Sequence, residues 1–321
     1  MGRLHARVYS EMPQVRLVGV YDLEPDRAAE VARDYRCEPF HQLEALLPKV
    51  RAVTIAVPTQ AHVETAEPFL KRGIGCLIEK PLAASVQQCR RIVETARAHQ
   101  AVLQVGHVER FNPAIRALMK LDIQPRFIEV TRISPMTFRS IDVGVVLDMM
   151  IHDIDIVLSL VKSPVERLEA IGVSVIGEVE DICNARVTFA SGCVANFTGS
   201  RLSLKTERRL RIFSAEAYVS IDYQKKAGIV VRRSGNLETI RGAVRKIRDG
   251  EVPDLAALNF GSLVQVEDLK IESVEPLRAE QEAFVEAVVK RTTPVVSGDD
   301  ALAAVALAER IVQAVTPNTL G

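Results

Sequence analysis

The chain has 321 residues, 48% apolar and 26% charged, with 41 Lys plus Arg balanced by 41 Asp plus Glu. That length favours two hydrophobic cores over one, and the mixture is that of a folded globular protein rather than a disordered one. With no net charge there is no global field to draw the chain to nucleic acid or to an anionic membrane, so a small ligand recognised locally is the expected partner.

From Val15 to His107, short β-branched runs alternate with longer amphipathic stretches, the pattern of βαβ units and a parallel sheet. Val15 to Tyr21 reads as a strand and Glu24 to Tyr35 as a helix with Pro25 in its first turn; Ala52 to Val57, Cys76 to Ile78 and Ala101 to Val105 read as buried strands. Helices over His62 to Arg72 and Ser85 to His99 separate them. After Asn112-Pro113 the period changes: a helix (Ala114 to Leu121), a strand (Phe127 to Ile133) and an apolar helix near Val145 to Val161. Six strands follow with turn residues between them, starting at Glu166, Asp181, Cys193, Arg209, Val219 and Gly228, as in an antiparallel sheet. Helices over Leu277 to Val289 and Asp299 to Val315 come last, and Gly242 to Val264 reads as a charged insertion. The expected architecture is α/β: a doubly wound Rossmann sheet over residues 1–108, then an α+β domain with a large, open, mostly antiparallel sheet over 109–321.

The five cysteines (Cys37, Cys76, Cys89, Cys183, Cys193) are scattered and form no CxxC pair, so neither a disulfide framework nor a metal site is expected, and a reducing cytoplasm suits them. No apolar run approaches the roughly 20 residues of a membrane span, and Met1-Gly2-Arg3-Leu4-His5 lacks the apolar core of a signal peptide. The basic stretch Arg241, Arg245, Lys246, Arg248 has few aromatics around it and reads as a solvated segment rather than a nucleic-acid contact.

Asp22 ends the first recognisable strand, where a doubly wound fold places the carboxylate that holds the adenosine ribose. Its acidity favours NAD over NADP by repelling a 2′-phosphate. The glycine-rich turn that should precede it by about 20 residues is represented only by Gly2. Gly2 is therefore expected to be the last glycine of that loop, with Arg3 and Leu4 opening the first helix beside the cofactor and the first strand lying upstream of Met1.

Two motifs carry chemistry. Glu79-Lys80-Pro81 follows a buried strand, so Lys80 emerges at the carboxyl edge of the sheet, where open α/β sheets bind ligands. Read alone, it equally describes a solvated lysine in a turn. Asp148, His152 and Asp155 stand at i, i+4 and i+7 in an apolar helical stretch, which places them on one face. A histidine there suits a general base for a hydroxyl, and it also suits a hydrogen-bonded core residue.

Taken together, Asp22, the segment Val57-Pro58-Thr59 with His62 beyond it, the EKP turn, the Gly106 to Pro113 segment and the DxxxH helix resemble the glucose-fructose oxidoreductase and inositol dehydrogenase family over nearly the whole chain. The resemblance implies an NAD-dependent oxidoreductase acting on a sugar hydroxyl, with Lys80, Asp148 and His152 as catalytic trio and His152 as proton acceptor. Pro58, Thr59, His62 and Glu79 would line the cofactor, and the open sheet would join copies into a homodimer or homotetramer. Within the family, Gly106-His107-Val108-Glu109-Arg110-Phe111-Asn112-Pro113 and Leu147 to Asp155 look most like the UDP-N-acetylglucosamine 3-dehydrogenase branch. This implies a nucleotide-sugar substrate and a partner aminotransferase that uses the 3-keto product to make an amino sugar for surface glycolipids. His107, Arg110 and Asn112 would face the substrate, although Arg110 could instead pair with a nearby carboxylate.

Overall fold

The computed structural model describes residues 1–136, 143–176, 178–233 and 264–315, with positions 242, 245 and 249. The charged insertion expected over Gly242 to Val264 lies almost wholly outside them.

The first part of the chain runs α1 (Gly2–Ser10), β1 (Gly19–Tyr21), α2 (Pro25–Asp34), β2 (Glu38–Phe40), β3 (Ala52–Ile55), α3 (His62–Leu70), β4 (Gly75–Glu79), α4 (Val86–Ala98) and β5 (Leu103–Gly106). Local chemistry explains the helix boundaries: Pro25 starts α2, whose Ala28, Val31 and Ala32 face inward, and Ser85 caps α4 by accepting from the Gln88 N–H. The strands are parallel, as expected, but form two pieces, β1–β2 and β3–β4–β5, with no ladder between β1 and β3 among the described residues. Helix α1 spans both pieces. Its Arg3 pairs with Glu30 and Asp34 of α2, and its Tyr9 hydroxyl lies 2.8 Å from Thr54 Oγ1 of β3. The strand expected from Val15 shortens to Gly19–Tyr21, because its partner β2 offers only three residues. Strand β2 is absent from the sequence pattern, because its Glu38-Pro39-Phe40 carries a proline at a sheet edge and no alternation to mark it.

The second part contains α5 (Pro113–Met119), β6 (Phe127–Ile133), a π-helical turn (Val146–Met150) running into α6 (Ile151–Val161), then β7 (Val165–Val173), β8 (Ile182–Phe189), β9 (Val194–Ser200), β10 (Glu207–Phe213), β11 (Ala217–Asp222), β12 (Ala227–Arg233) and β13 (Val264–Asp268). They build one eight-stranded sheet in the order β13-β12-β11-β10-β6-β9-β8-β7, antiparallel except for the parallel β6–β9 pair. Period-2 alternation sends Cys183, Ala185, Val187 and Phe189 of β8 and Leu210 and Ile212 of β10 into the core, while Ile171, Val173 and Val266 remain exposed.

The last two helices, α7 (Pro276–Lys290) and α8 (Gly298–Val315), return to the first part. Helix α7 packs on α1, and α8 lies between α4 and the pair α6 and β7. Val105 N–H donates to the Val296 carbonyl at 3.1 Å, which ties the edge strand β5 to the segment before α8. The C-terminal helices pack against both parts, and one continuous buried cluster runs from Phe40 to Val315 instead of a separate core in each.

Candidate active site

The carboxyl ends of β4 and β5 meet the start of the π turn. Gly106 makes this possible: a Cβ there would lie 3.2 Å from the Glu79 Cα and Oε2. Lys80, just beyond β4, donates from Nζ to the Asp148 carbonyl at 2.7 Å and stands 3.5 Å from Asp148 Oδ1. Burial lowers the Lys80 pKa, opposed by the charge of Asp148 and its hydrogen bond.

Asp148 and His152 line one cleft of about 290 Å³ with Val108, Glu109, Arg132, Ser134, Pro135, Met149, Arg201 and Arg208. Asp155, expected on the same face, is elsewhere: buried, with Oδ1 3.7 Å from Arg110. The chain is π-helical over Val146–Met150 before becoming α-helical, so the 3.6-residue spacing does not hold across the whole stretch, and such turns occur often at functional sites. Gly144 precedes that turn because a Cβ would lie 2.1 Å from Glu180 Oε1, the atom that accepts from the Val146 N–H.

His152 is partly exposed, yet its Nδ1 is turned inward without a partner among the described residues. Burial, then the charges of Lys80 and Arg132, hold its pKa well below the usual histidine value, which leaves a neutral ring at pH 7. His107 stands edge-on to it, with ring centroids 6.2 Å apart. It is fully buried, neither nitrogen has a partner among the described residues, and burial pushes its pKa down to about 3.

Other expected contact residues are more firmly engaged. Arg110 donates to the carbonyls of Asp155 and Val295 besides facing the Asp155 carboxylate, and is not among the residues lining the cleft. Asn112 caps α5 by accepting from the Ala114 N–H and donates to Glu109. His62 is buried between loops, with Nε2 3.0 Å from the Val57 carbonyl and Nδ1 3.1 Å from that of Pro81, so it joins the Val57-Pro58-Thr59 segment to the EKP turn.

Sequence reasoning missed two groups. Behind Glu79, Gln281 of α7 donates to His5 Nδ1 at 2.8 Å, which leaves the Nε2–H to donate to Glu79 Oε1 at 2.8 Å. Burial pushes Glu79 up, but the hydrogen bonds from His5 and the Lys80 N–H outweigh it, and its pKa is net lowered. On the cleft floor, Arg132 is bidentate to Asp153 at 2.6 and 3.0 Å and reaches Glu109 at 3.1 Å. The signal for Arg132 was present: it occupies the inward register of β6, after Ile128 and Val130. For His5 no local signal exists, because its partners lie 74 and 276 residues away.

This is the arrangement of a two-domain dehydrogenase, with a doubly wound domain presenting its carboxyl edge to a cleft floored by a second sheet. The chain belongs to the glucose-fructose oxidoreductase and inositol dehydrogenase (Gfo/Idh/MocA) family. Residues 1–107 match the model described as "Oxidoreductase family, NAD-binding Rossmann fold", and 129–220 match the "GFO/IDH/MocA C-terminal domain". The chain is 37% identical over 258 residues to the UDP-N-acetylglucosamine 3-dehydrogenase of Acidithiobacillus ferrooxidans, covering 80% of each. It is 27% identical to the inositol 2-dehydrogenase of Rhizobium meliloti, covering 98% of this chain and 94% of that one. The solved structure of the Acidithiobacillus enzyme superposes with a TM-score of 0.87 at 31% identity, covering 99% of this chain and 95% of that one. Levoglucosan dehydrogenase in complex with NADH and levoglucosan shares the fold, at a TM-score of 0.80 and 18% identity, over 99% of this chain and 95% of that one.

The matching family model is that of an NAD-binding Rossmann fold, and the residues present fit NAD. The first intrahelical bonds of α1 are made by Leu4 and His5 to Met1, so the Gly2 and Arg3 N–H groups precede them, with no acidic residue in the first turn to compete for a phosphate. A Cβ at Gly2 would meet only Ala56 Cβ, at 4.0 Å. Asp22 stands at the carboxyl end of β1, one third exposed.

Proposed function

We propose that this protein oxidises the C3 hydroxyl of UDP-N-acetylglucosamine to the 3-keto sugar. The observation that carries the chemistry is that Asp148 and His152 line one cleft while Lys80, from a separate region of the chain, reaches Asp148 from the carboxyl end of β4. The likeness to the Acidithiobacillus enzyme across both domains supports the substrate.

Bound NAD supplies the hydride acceptor. The free Gly2 and Arg3 N–H groups at the start of α1, with Leu4 beside them, would take its pyrophosphate, Asp22 its ribose hydroxyls, and Pro58, Thr59 and Glu79 the nicotinamide side, with His62 holding their loops together. Neutral His152 accepts the proton of the reacting hydroxyl. The Lys80 ammonium stabilises the developing alkoxide, and Asp148 orients Lys80 and accepts from a neighbouring sugar hydroxyl. Burial, then the charges of Lys80 and Arg132, keep that base neutral. The exposed apolar side chains Ile171 and Val173 on the edge strand β7 support pairing of copies through the large sheet.

The test is NADH absorbance with NAD and UDP-N-acetylglucosamine, with a glutamate-dependent aminotransferase present to draw off the ketone. Formation of NADH that disappears in Lys80→Met supports the reading. No NADH from this sugar, with turnover of an inositol or a free aldose instead, overturns the substrate and leaves the class.

A further inference from the structure

Glu109 sits at the centre of the charges around the cleft. Its Oε1 accepts from Arg132 at 3.1 Å and from Arg208 at 3.4 Å, while Oε2 accepts from Asn112 at 3.1 Å. Arg132 and Arg208 are directly opposed in the β6–β10 ladder, a register in which like charges repel. Such a pair demands a carboxylate between them, and Glu109 supplies it.

The three arginines of the cleft are not equivalent. Arg132 is buried and clamped on Asp153, so moving it would strand a carboxylate in the interior. Arg201 is likewise buried, bonded to Asp181 at 2.6 Å and to the Val143 carbonyl at 2.7 Å. Arg208 is different: its side chain is 44% exposed, and its contact is the longest of the three made by Glu109. If it leaves, Glu109 keeps Arg132 and Asn112, and no buried charge is left alone.

We propose that Arg208 is the anion-binding arm of this cleft: it exchanges Glu109 for a phosphate of a nucleotide-linked sugar whose ring lies against Asp148 and His152. The inference rests on the dehydrogenase reading of the same cleft. A volume of about 290 Å³ is at the small end for ligand pockets, enough for a sugar ring with the remainder leaving through the mouth, where the exposed Arg208 stands. A guanidinium matches a phosphate with two parallel N–H donors, whereas a neutral polyol offers it no such partner. Arg208 would thus select nucleotide sugars over inositols.

The experiment is calorimetric titration of UDP into the NADH-loaded chain, for the wild type, Arg208→Met and Arg208→Lys, alongside KM and kcat for UDP-N-acetylglucosamine. Loss of one charge-assisted contact is expected to weaken UDP binding and raise KM about tenfold to a hundredfold in Arg208→Met, with kcat changed far less and with partial recovery in Arg208→Lys. Equal UDP binding in wild type and Arg208→Met, or no binding of UDP by the wild type, overturns the proposal. Arg208-dependent UDP binding without oxidation of UDP-N-acetylglucosamine sustains the anion site and overturns only the substrate reading. Oxidation with an unchanged KM in Arg208→Met does the reverse.

Discussion

Two cation–carboxylate pairs meet the same cleft, Lys80 with Asp148 and Arg132 with Asp153, and they are built in opposite ways. The second is bidentate at 2.6 and 3.0 Å, buried on both sides and fixed further by Glu109. Asp153 and Glu109 outweigh the burial that works against the Arg132 charge, and the guanidinium stays ionised. The first is long at 3.5 Å, partly open to solvent, and includes a lysine whose charge burial has made less secure. A pair that holds structure must satisfy every donor, because an unpaired buried charge is costly. A pair that does chemistry has to stay short of satisfaction, so that a substrate hydroxyl can complete it.

The comparison can be broken at several points. The largest effect is expected from Asp153→Asn, which leaves the buried Arg132 without its bidentate partner and should cost about 3–5 kcal/mol in urea unfolding. A cost comparable to that of an exposed pair would show that Arg132 is less desolvated than its geometry implies. Lys80→Met and His152→Ala should do the opposite, lowering turnover about a hundredfold or more while leaving the unfolding midpoint nearly unchanged. Near-wild-type turnover in either would remove that residue from the mechanism.

A third effect concerns pH. Because folded His107 is held neutral down to about pH 3, the unfolded chain binds a proton that the folded chain refuses between roughly pH 6.5 and that value, so this residue makes stability rise with pH in that window. Asp155, raised by burial to about 7, acts in the other direction above the usual carboxylate pKa, so the measurement has to be a difference. His107→Phe should unfold with a shallower loss of stability on acidification than the wild type, and parallel profiles would contradict it. The smallest effect is expected from Asp22→Ala, about a tenfold rise in the KM for NAD from lost hydrogen bonds at an exposed edge, with kcat retained.

The same contrast separates what was legible in the sequence from what was not. Lys80, Asp148 and His152 stand in short contiguous motifs on a strand end and an apolar helix, where polar residues interrupt a clear pattern. Arg132 gave a fainter sign, a charge at an inward strand register. Arg208 stands at the exposed start of β10, on the face of Leu210 and Ile212, and its place opposite Arg132 shows only once β10 is seen beside β6. The π turn was equally hidden: the sequence around Asp148 reads as unbroken helix, and one widened turn sends Asp155 to Arg110.

From residue order alone followed the parallel and antiparallel halves, most of their strands and helices, the acidic residue at the end of β1 and the EKP and DxxxH motifs. Each of these depends on interactions spanning a few residues: periodicity against a core, a proline or serine at a helix start, a turn after a buried strand. Only the tertiary structure decided that the last helices join both parts in one buried cluster, that His5 and Gln281 support Glu79, and that Glu109 holds two arginines in one cleft. Those choices rest on pairings between charges and hydrogen-bonding groups brought together from distant parts of the chain, and such pairings take on a defined energy only once folding has removed the water between them.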